Sequence, residues 1–237
     1  MTQQVIDVGP APGTGGDPGR IAMQKVNANF TEVYGLSNLT GILPVANGGW
    51  PGIVLTSYYG TVDPTGSVSS HTAIQNFLDD VATGEKGQWG VLPYGTYKLT
   101  TALVWPTTGH VNVFGMGSYG TGSTCLKPVG CRAITWTGSG YNALNSLRHL
   151  RIDCNSAADS TAVVYMRSVF DTVMDDVFFD CAATGSGMTV PEFLHAERAD
   201  AVELRNVRMY GTDLANQIGL NAICSFIDCG DACIAIV

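Results

Sequence analysis

Apolar and polar positions along the chain follow two different periods. Over residues 17–34 the apolar side chains recur at helical spacing: Ala22 and Met23, Val26, Phe30, then Val33 and Tyr34. Asp17 precedes them as N-cap, Pro18 takes the first helical position, where its missing N–H costs nothing, and Gly35 ends the run. A second stripe, Ala73, Ile74, Phe77, Leu78 and Val81, predicts another helix, capped by Ser69 or Ser70. Residues 51–68 read as strand and turn. Beyond Gly90 the period shortens, and apolar runs at 102–105, 111–115, 124–127 and 132–136 predict a train of short strands.

Further on, a repeat emerges. Leu147-x-x-Leu150-x-Ile152, Met174-x-x-Val177-x-Phe179 and Leu204-x-x-Val207-x-Met209 share one template, and Cys224-x-x-Ile227-x-Cys229 fits it more loosely. The offsets of 27, 30 and 20 residues suit coils whose strands stay constant while their turns vary. Within the template, Leu150 and Ile152 point inward while Arg151 and Asp153 point outward, the period-2 signature of half-buried strands. Cys154 and Cys181 then occupy one rung position, which predicts stacked buried thiols rather than a disulfide.

The two periods divide the chain into residues 1–50 and 51–237. Residues 1–16 are rich in glycine and proline and predict an extended arm. The helix after it has glycine-rich chain on both sides, so its stripe calls for self-association or docking on another protein; packing on its own β-domain is the alternative. The last residues, Ala232–Val237, form an apolar run without a polar cap. An open solenoid end is an aggregation hazard, which predicts either a longer polypeptide or a partner over that end.

Composition narrows the function classes. Hydrophobic residues at 45% against 14% charged allow a sizeable core and argue against extended disorder. The net charge of −8 is uneven: residues 1–152 carry eight basic against seven acidic groups, and residues 153–237 four against thirteen. With no basic stripe, nucleic-acid binding is excluded. Apolar runs are too short for membrane insertion, and MTQQVIDVGP lacks the regions of a signal peptide, so synthesis and assembly in a cytoplasm are expected. Seven cysteines, with no CxxC pair and no histidine near Cys229 and Cys233, favour buried small side chains over zinc. No metal and no cofactor is expected.

The stretch 16–34, GDPGRIAMQKVNANFTEVY, resembles the amino-terminal segment of many bacteriophage tail fibres and tail-associated proteins, whose pattern is GDP-x-R-x-A-x-x-K-[IV]-N-x-NF-x-E-[LVI]-Y. Residues 42–49, ILPVANGG, are similar to the LPVANGG linker of tail fibres. Ala73-Ile74-Gln75-Asn76-Phe77-Leu78-Asp79, followed by Leu92-Pro93-Tyr94-Gly95-Thr96-Tyr97, resembles the start of pectate-lyase-like β-helices in phage tailspikes. The resemblance implies a mainly β fold: a right-handed parallel β-helix over 51–237, with a capping helix at its start, after an attachment arm and helix in 1–50. It also implies a homotrimeric virion tail protein that docks on the tail, baseplate or an adaptor protein through residues 1–50. Distal regions would then meet host surface polysaccharide. The candidate attachment and oligomerisation residues are Asp17, Pro18, Arg20, Asn27, Asn29, Phe30 and Tyr34.

Many tailspikes of this architecture cut polysaccharide, and glycoside hydrolysis needs two carboxylates about 5–9.5 Å apart. Equivalent outward positions on successive coils lie about 4.8 Å apart. Asp153 and Asp180 fall at such positions with Asp176 nearby, so these three are the catalytic candidates, with solvated or turn carboxylates as the alternative. Glu192, Glu197, Asp200 and Glu203 surround His195 in sequence, a candidate lyase base or a loop histidine. Trp105, Trp136, Tyr165 and Tyr210 are candidate sugar-stacking rings if they face outward. The structural reading places any enzymatic site elsewhere; a depolymerase, or an adaptor joining tail to spike, is the alternative.

Overall fold

The computed structural model describes residues 52–83, 89–106, 109–120, 122–138, 145–181, 190–211, 222–227 and 229. The helix predicted over 17–34, its seven candidate attachment residues and the terminal run 232–237 lie outside the described residues. Strands β1 (Gly52–Val54) and β2 (Thr65–Ser69) precede helix α1 (His71–Thr83). Then come β3 (Trp89–Leu92), β4 (Gly95–Leu99), β5 (Leu103–Val104), β6 (Asn112–Gly115), β7 (Thr124–Pro128) and β8 (Ile134–Thr137). The rest are β9 (Asn145–Asp153), β10 (Ala162–Arg167), β11 (Phe170–Cys181), β12 (Glu192–Glu197), β13 (Asp200–Arg205), β14 (Arg208–Gly211) and β15 (Ala222–Ile227).

Every pairing among these strands is parallel, and the chain is a parallel β-solenoid. Three strand ladders form its faces. The first stacks β1, β3, β6, the start of β9, the start of β11, and β13. The second stacks β2, β4, β7, the ends of β9 and β11, and β14. The third runs β5, β8, β10, β12, β15.

The corner between the first two faces is made in the later coils by one left-handed residue. His149, Asp176 and Asn206 stack there with φ of 53°, 52° and 47°. Left-handed backbone is costly for most L-residues and least so for Asn and Asp, which two of the three positions carry. A second left-handed pair, Ser168 and Arg198, turns the third face into the first. Because these turns are so short, β9 and β11 each run through the corner as one strand, the register passing from Arg148–Asp175 to Leu150–Val177.

The template positions stack as predicted. Leu147, Met174 and Leu204 are register partners, Leu150 pairs with Val177, and Ile152, Phe179 and Met209 align. Leu150, Ile152, Val177 and Phe179 are fully buried, and Arg151 and Asp153 lie on the outer side. Cys154 and Cys181 follow the paired Asp153 and Asp180, and both are buried thiols outside any disulfide. Burial pushes the Cys154 thiol well up from its ordinary value, which disfavours the reactive thiolate.

The fourth template is corrected by the structure. β15 pairs with β12, so Cys224 stacks on Leu194 in the third face rather than on Leu204. That face has its own repeat: Ile134, Val164, Leu194 and Cys224 are successive register partners, each 30 residues apart. A three-position apolar template matches both faces, because both are half-buried strands with the same period; only the spacing separates them. Trp105 and Trp136 also belong to the interior here, stacked at 4.4 Å between centroids, so neither presents a ring to solvent.

Helix α1 takes the stretch between the second and first faces in the opening coil. Its predicted stripe, Ala73, Ile74, Phe77, Leu78 and Val81, is buried. The stripe approaches β3 so closely that a Cβ at Gly90 would lie 2.7 Å from Phe77 Cζ. Ser70 stands at the head of the helix, but its hydroxyl accepts from the Asp63 N–H at 2.9 Å; the His71 N–H points to Ser69 Oγ at 3.4 Å.

β5 is the edge of the third ladder, and an edge strand presents unpaired N–H and C=O groups. Gln75 satisfies them. Its Oε1 accepts from Val104 N–H and its Nε2 donates to Val104 C=O, both at 2.8 Å, so the side-chain amide replaces the peptide of a missing strand. The following Leu-Pro-x-Gly-x-Tyr run is also explained locally. Tyr97 is buried with its hydroxyl donating to Pro93 C=O at 3.0 Å, and Gly95 has φ of 142° with Pro64 pressed where a Cβ would stand.

Gln75→Ala removes both bonds to the β5 edge and is expected to lower stability by about 1–3 kcal/mol. Urea denaturation followed by circular dichroism measures it. An unchanged midpoint would show that the amide adds nothing to the edge.

Candidate functional site

The three carboxylates singled out in sequence lie on the outer side around the second face. Asp153 ends β9 and Asp180 is its register partner on β11. Their roles nevertheless differ. Asp153 Oδ1 accepts from Asn155 N–H at 3.1 Å and Asn155 Nδ2 at 2.6 Å, capping the short 3-10 turn Cys154–Ser156. Asp180 is paired with Arg151, with Nη2 and Oδ2 2.8 Å apart and the Asp180 side chain only 9% exposed. Its other oxygen, Oδ1, is buried without a hydrogen-bond partner, as is Arg151 Nε.

Asp176 sits at the left-handed corner and gathers four neighbours. Oδ1 accepts from Ser118 Oγ at 2.8 Å and Asn206 Nδ2 at 3.0 Å, with Arg208 Nη2 at 3.8 Å; Oδ2 meets His149 Nδ1 at 3.2 Å. The group ties the β6–β7 connection, β9, β11 and the β13–β14 turn together. Asp153, Asp176 and Asp180 are thus brought to one region, each already engaged by neighbouring side chains or backbone.

On the outer side of the third face, Tyr165 and His195 are register partners with rings 5.6 Å apart and nearly parallel. Arg132 lies over the Tyr165 ring at 4.9 Å and forms a bidentate pair with Asp159 at 2.7 and 2.9 Å. The Tyr165 hydroxyl donates to Glu197 at 3.0 Å. Its pKa is raised by burial first and by that carboxylate second. Glu192 meets His195 Nδ1 at 3.0 Å. Of the acidic residues surrounding His195 in sequence, Glu197 turns to Tyr165 and Arg167, and Glu203 pairs with Arg205. The Arg132–Tyr165–His195 column went unnoticed in sequence, although the 30-residue spacing of the third face places 165 and 195 in one row.

A third outer feature is a row of aromatic rings. Tyr119 lies edge-on to Phe178 at 5.6 Å, and Phe178 is 6.4 Å from Tyr210. Tyr119 and Tyr210 are exposed. Tyr210 is therefore outward, as is Tyr165, in contrast to the two interior tryptophans. Among the described residues, no three or more His, Cys, Asp or Glu side chains converge in a way that would hold a metal ion. No described helix is long and apolar enough to cross a membrane.

No family model matches this chain, and no curated protein matches it. Among solved structures it is similar to a Geobacillus virus E2 protein, ORF18, with 14% identity over 91% of this chain and a TM-score of 0.39. The match covers 46% of that protein, so this chain spans less than half its length. A likeness at this level assigns neither a family nor an activity.

The Arg151–Asp180 pair is intermediate between an exposed and a buried ion pair. A double-mutant cycle of Asp180→Asn with Arg151→Met is expected to give a coupling energy of about 1–2 kcal/mol in denaturant unfolding. A coupling near zero would leave Asp180 without this structural role.

Proposed function

We propose that this chain is the tail-proximal part of a bacteriophage tailspike or tail fibre. In this reading residues 1–50 dock on the tail, baseplate or an adaptor, and the solenoid from residue 51 is a right-handed, pectate-lyase-like shaft. The assembly is a homotrimer of the virion tail, and α1 is the cover of the shaft's first coil. Regions distal to the attachment segment meet host surface polysaccharide.

The observation that carries the reading is the order of two features in one chain. A GDP-x-R…NF-x-E-x-Y segment at 16–34 is followed, from residue 52, by a parallel solenoid. A solenoid suits a shaft: each coil contacts only its neighbours, so length is added without a new core design. In this reading Asp17 would cap the attachment helix, Phe30 and Tyr34 would supply aromatic area buried on docking, worth about 1.5–3 kcal/mol for a fully buried Phe, and Arg20, Asn27 and Asn29 would tie the helix to neighbouring backbone.

The enzymatic alternative draws on the register of Asp153 with Asp180. A depolymerase built on them would have to work through Asp180 Oδ1, which is buried beside the Arg151 pair, and through Asp153, whose Oδ1 holds a turn. The structural role is therefore preferred, with shaft and anchor as the chain's work.

Phe30→Ala is expected to reduce incorporation into virions at least several-fold while the solenoid keeps its circular dichroism spectrum and melting transition. Quantitative blotting of purified particles measures it. Normal incorporation would overturn the anchor assignment.

A further inference from the structure

The basic side chains among the described residues divide by partner. Each of the seven arginines, at 132, 148, 151, 167, 198, 205 and 208, has a carboxylate oxygen within 4.0 Å. Among the described residues, only Lys98 and Lys127 stand without one, and neither makes a hydrogen bond. These two lysines are register partners, on β4 and β7 of the second face. They alternate with the buried Tyr97, Leu99 and Leu126, so both point outward. Each is half-buried, the usual state of a lysine whose stem lies along a surface while its ammonium stays in water.

Equivalent positions on neighbouring coils lie about 4.8 Å apart, and like charges directly opposite one another on a sheet repel. Carboxylates are not scarce in this chain, which carries 20 acidic residues against 12 lysines and arginines. The acid nearest in the column is Asp153, one residue past the Leu126–Ile152 register pair, and its Oδ1 is taken by Asn155. The column continues through Asp180, which is paired with Arg151, to Tyr210, the register partner of Asp180. The Tyr210 side chain is 49% exposed. It stands three coils from Lys127, about 14 Å at about 4.8 Å per coil.

We propose that this column of the second face binds an acidic polysaccharide, with Lys98 and Lys127 holding its anionic substituents and Tyr210 stacking on a sugar ring further along. The distance between the lysines and the ring calls for an extended ligand lying along the solenoid rather than a single small anion. Carboxylate and phosphate substituents share the needed chemistry, since both accept charge-assisted hydrogen bonds from an ammonium group. The inference rests on the reading that the shaft meets host surface polysaccharide, and adds to it a place and a charge class.

The experiment is affinity electrophoresis of the folded full chain through native gels containing polygalacturonate, phosphorylated dextran or plain dextran. At least one charged polymer is expected to retard the wild type, less so as salt is added, and plain dextran is not. Which charged polymer acts tells carboxylate from phosphate. Lys98→Gln combined with Lys127→Gln is expected to weaken the affinity about 5- to 30-fold, the worth of two solvent-accessible ion pairs. Lys98→Arg with Lys127→Arg is expected to keep it, and Tyr210→Ala to weaken it several-fold. Arg198→Gln, outside the second face, serves as the control that changes nothing, and circular dichroism checks that each variant is folded. No retardation by either charged polymer, or an affinity that the double glutamine variant or Tyr210→Ala leaves unchanged, would overturn the site. Equal retardation by plain dextran would overturn the acidic class while leaving a polysaccharide-binding shaft in place. Virion incorporation of the lysine variants is expected to stay normal, so failure of this site is distinguishable from failure of the attachment reading.

Discussion

Everything in this structure depends on the vertical register of parallel coils. A residue on one coil sits on its equivalent in the next, about 4.8 Å away, and the backbone bonds between them fix that relation. Once Leu147, Met174 and Leu204 are aligned, their neighbours have no freedom of partner: Leu150 must meet Val177, and Asp153 must meet Asp180. Shifting one coil by a single residue would turn Phe179 outward and Phe178 inward, exchanging a whole apolar row for its polar counterpart. The interior rows resist this because they are fully buried, from Ile134 through Val164 to Leu194 and from Ile152 to Phe179.

The same register creates the fold's main liability, an open ladder at its start. On the third face β5 has a partner on one side only, and the chain supplies a helix where another strand would stand. A helix has no free backbone row to offer, so it covers the core with its apolar stripe and meets the edge with a side chain. Gln75 suits the task because a primary amide carries both a donor and an acceptor, and it uses both on Val104. A glutamate at that position would lack the donor and a leucine would lack both.

How much was legible in the sequence follows from which residues the register constrains. The α1 stripe and the 147/174/204 template were readable because each repeats an apolar pattern at the period of its element. The two faces were harder to separate: Cys224 matched the template but belongs under a different row, since β15 stacks on β12. The 30-residue spacing of Ile134, Val164, Leu194 and Cys224 was the missing signal, obscured by the short β8 and by turns of unequal length. Partner choice among outward residues was not legible at all. Arg151 selects Asp180 across the coil rather than Asp153 on its own strand, and Ser118 reaches Asp176 across two coils because of one longer connection. The two tryptophans differ: Ile134-Thr135-Trp136-Thr137 alternates and points Trp136 inward with Ile134, whereas Trp105 follows a two-residue strand, too short to set a side.

Register also sets how a carboxylate pair on such a solenoid should be weighed. Two acids at equivalent outward positions come within a few ångströms automatically, so the closeness of Asp153 and Asp180 is a property of the fold before it is a property of any site. What distinguishes a working pair is freedom of the reacting oxygens and room for a substrate between them. Here Asp153 holds a turn and Asp180 holds an arginine, and the corner acid Asp176 holds four neighbours. The outer charges thus serve mainly to bind coil to coil, complementing the apolar rows within. That division of labour ties the coils together from outside as well as from within.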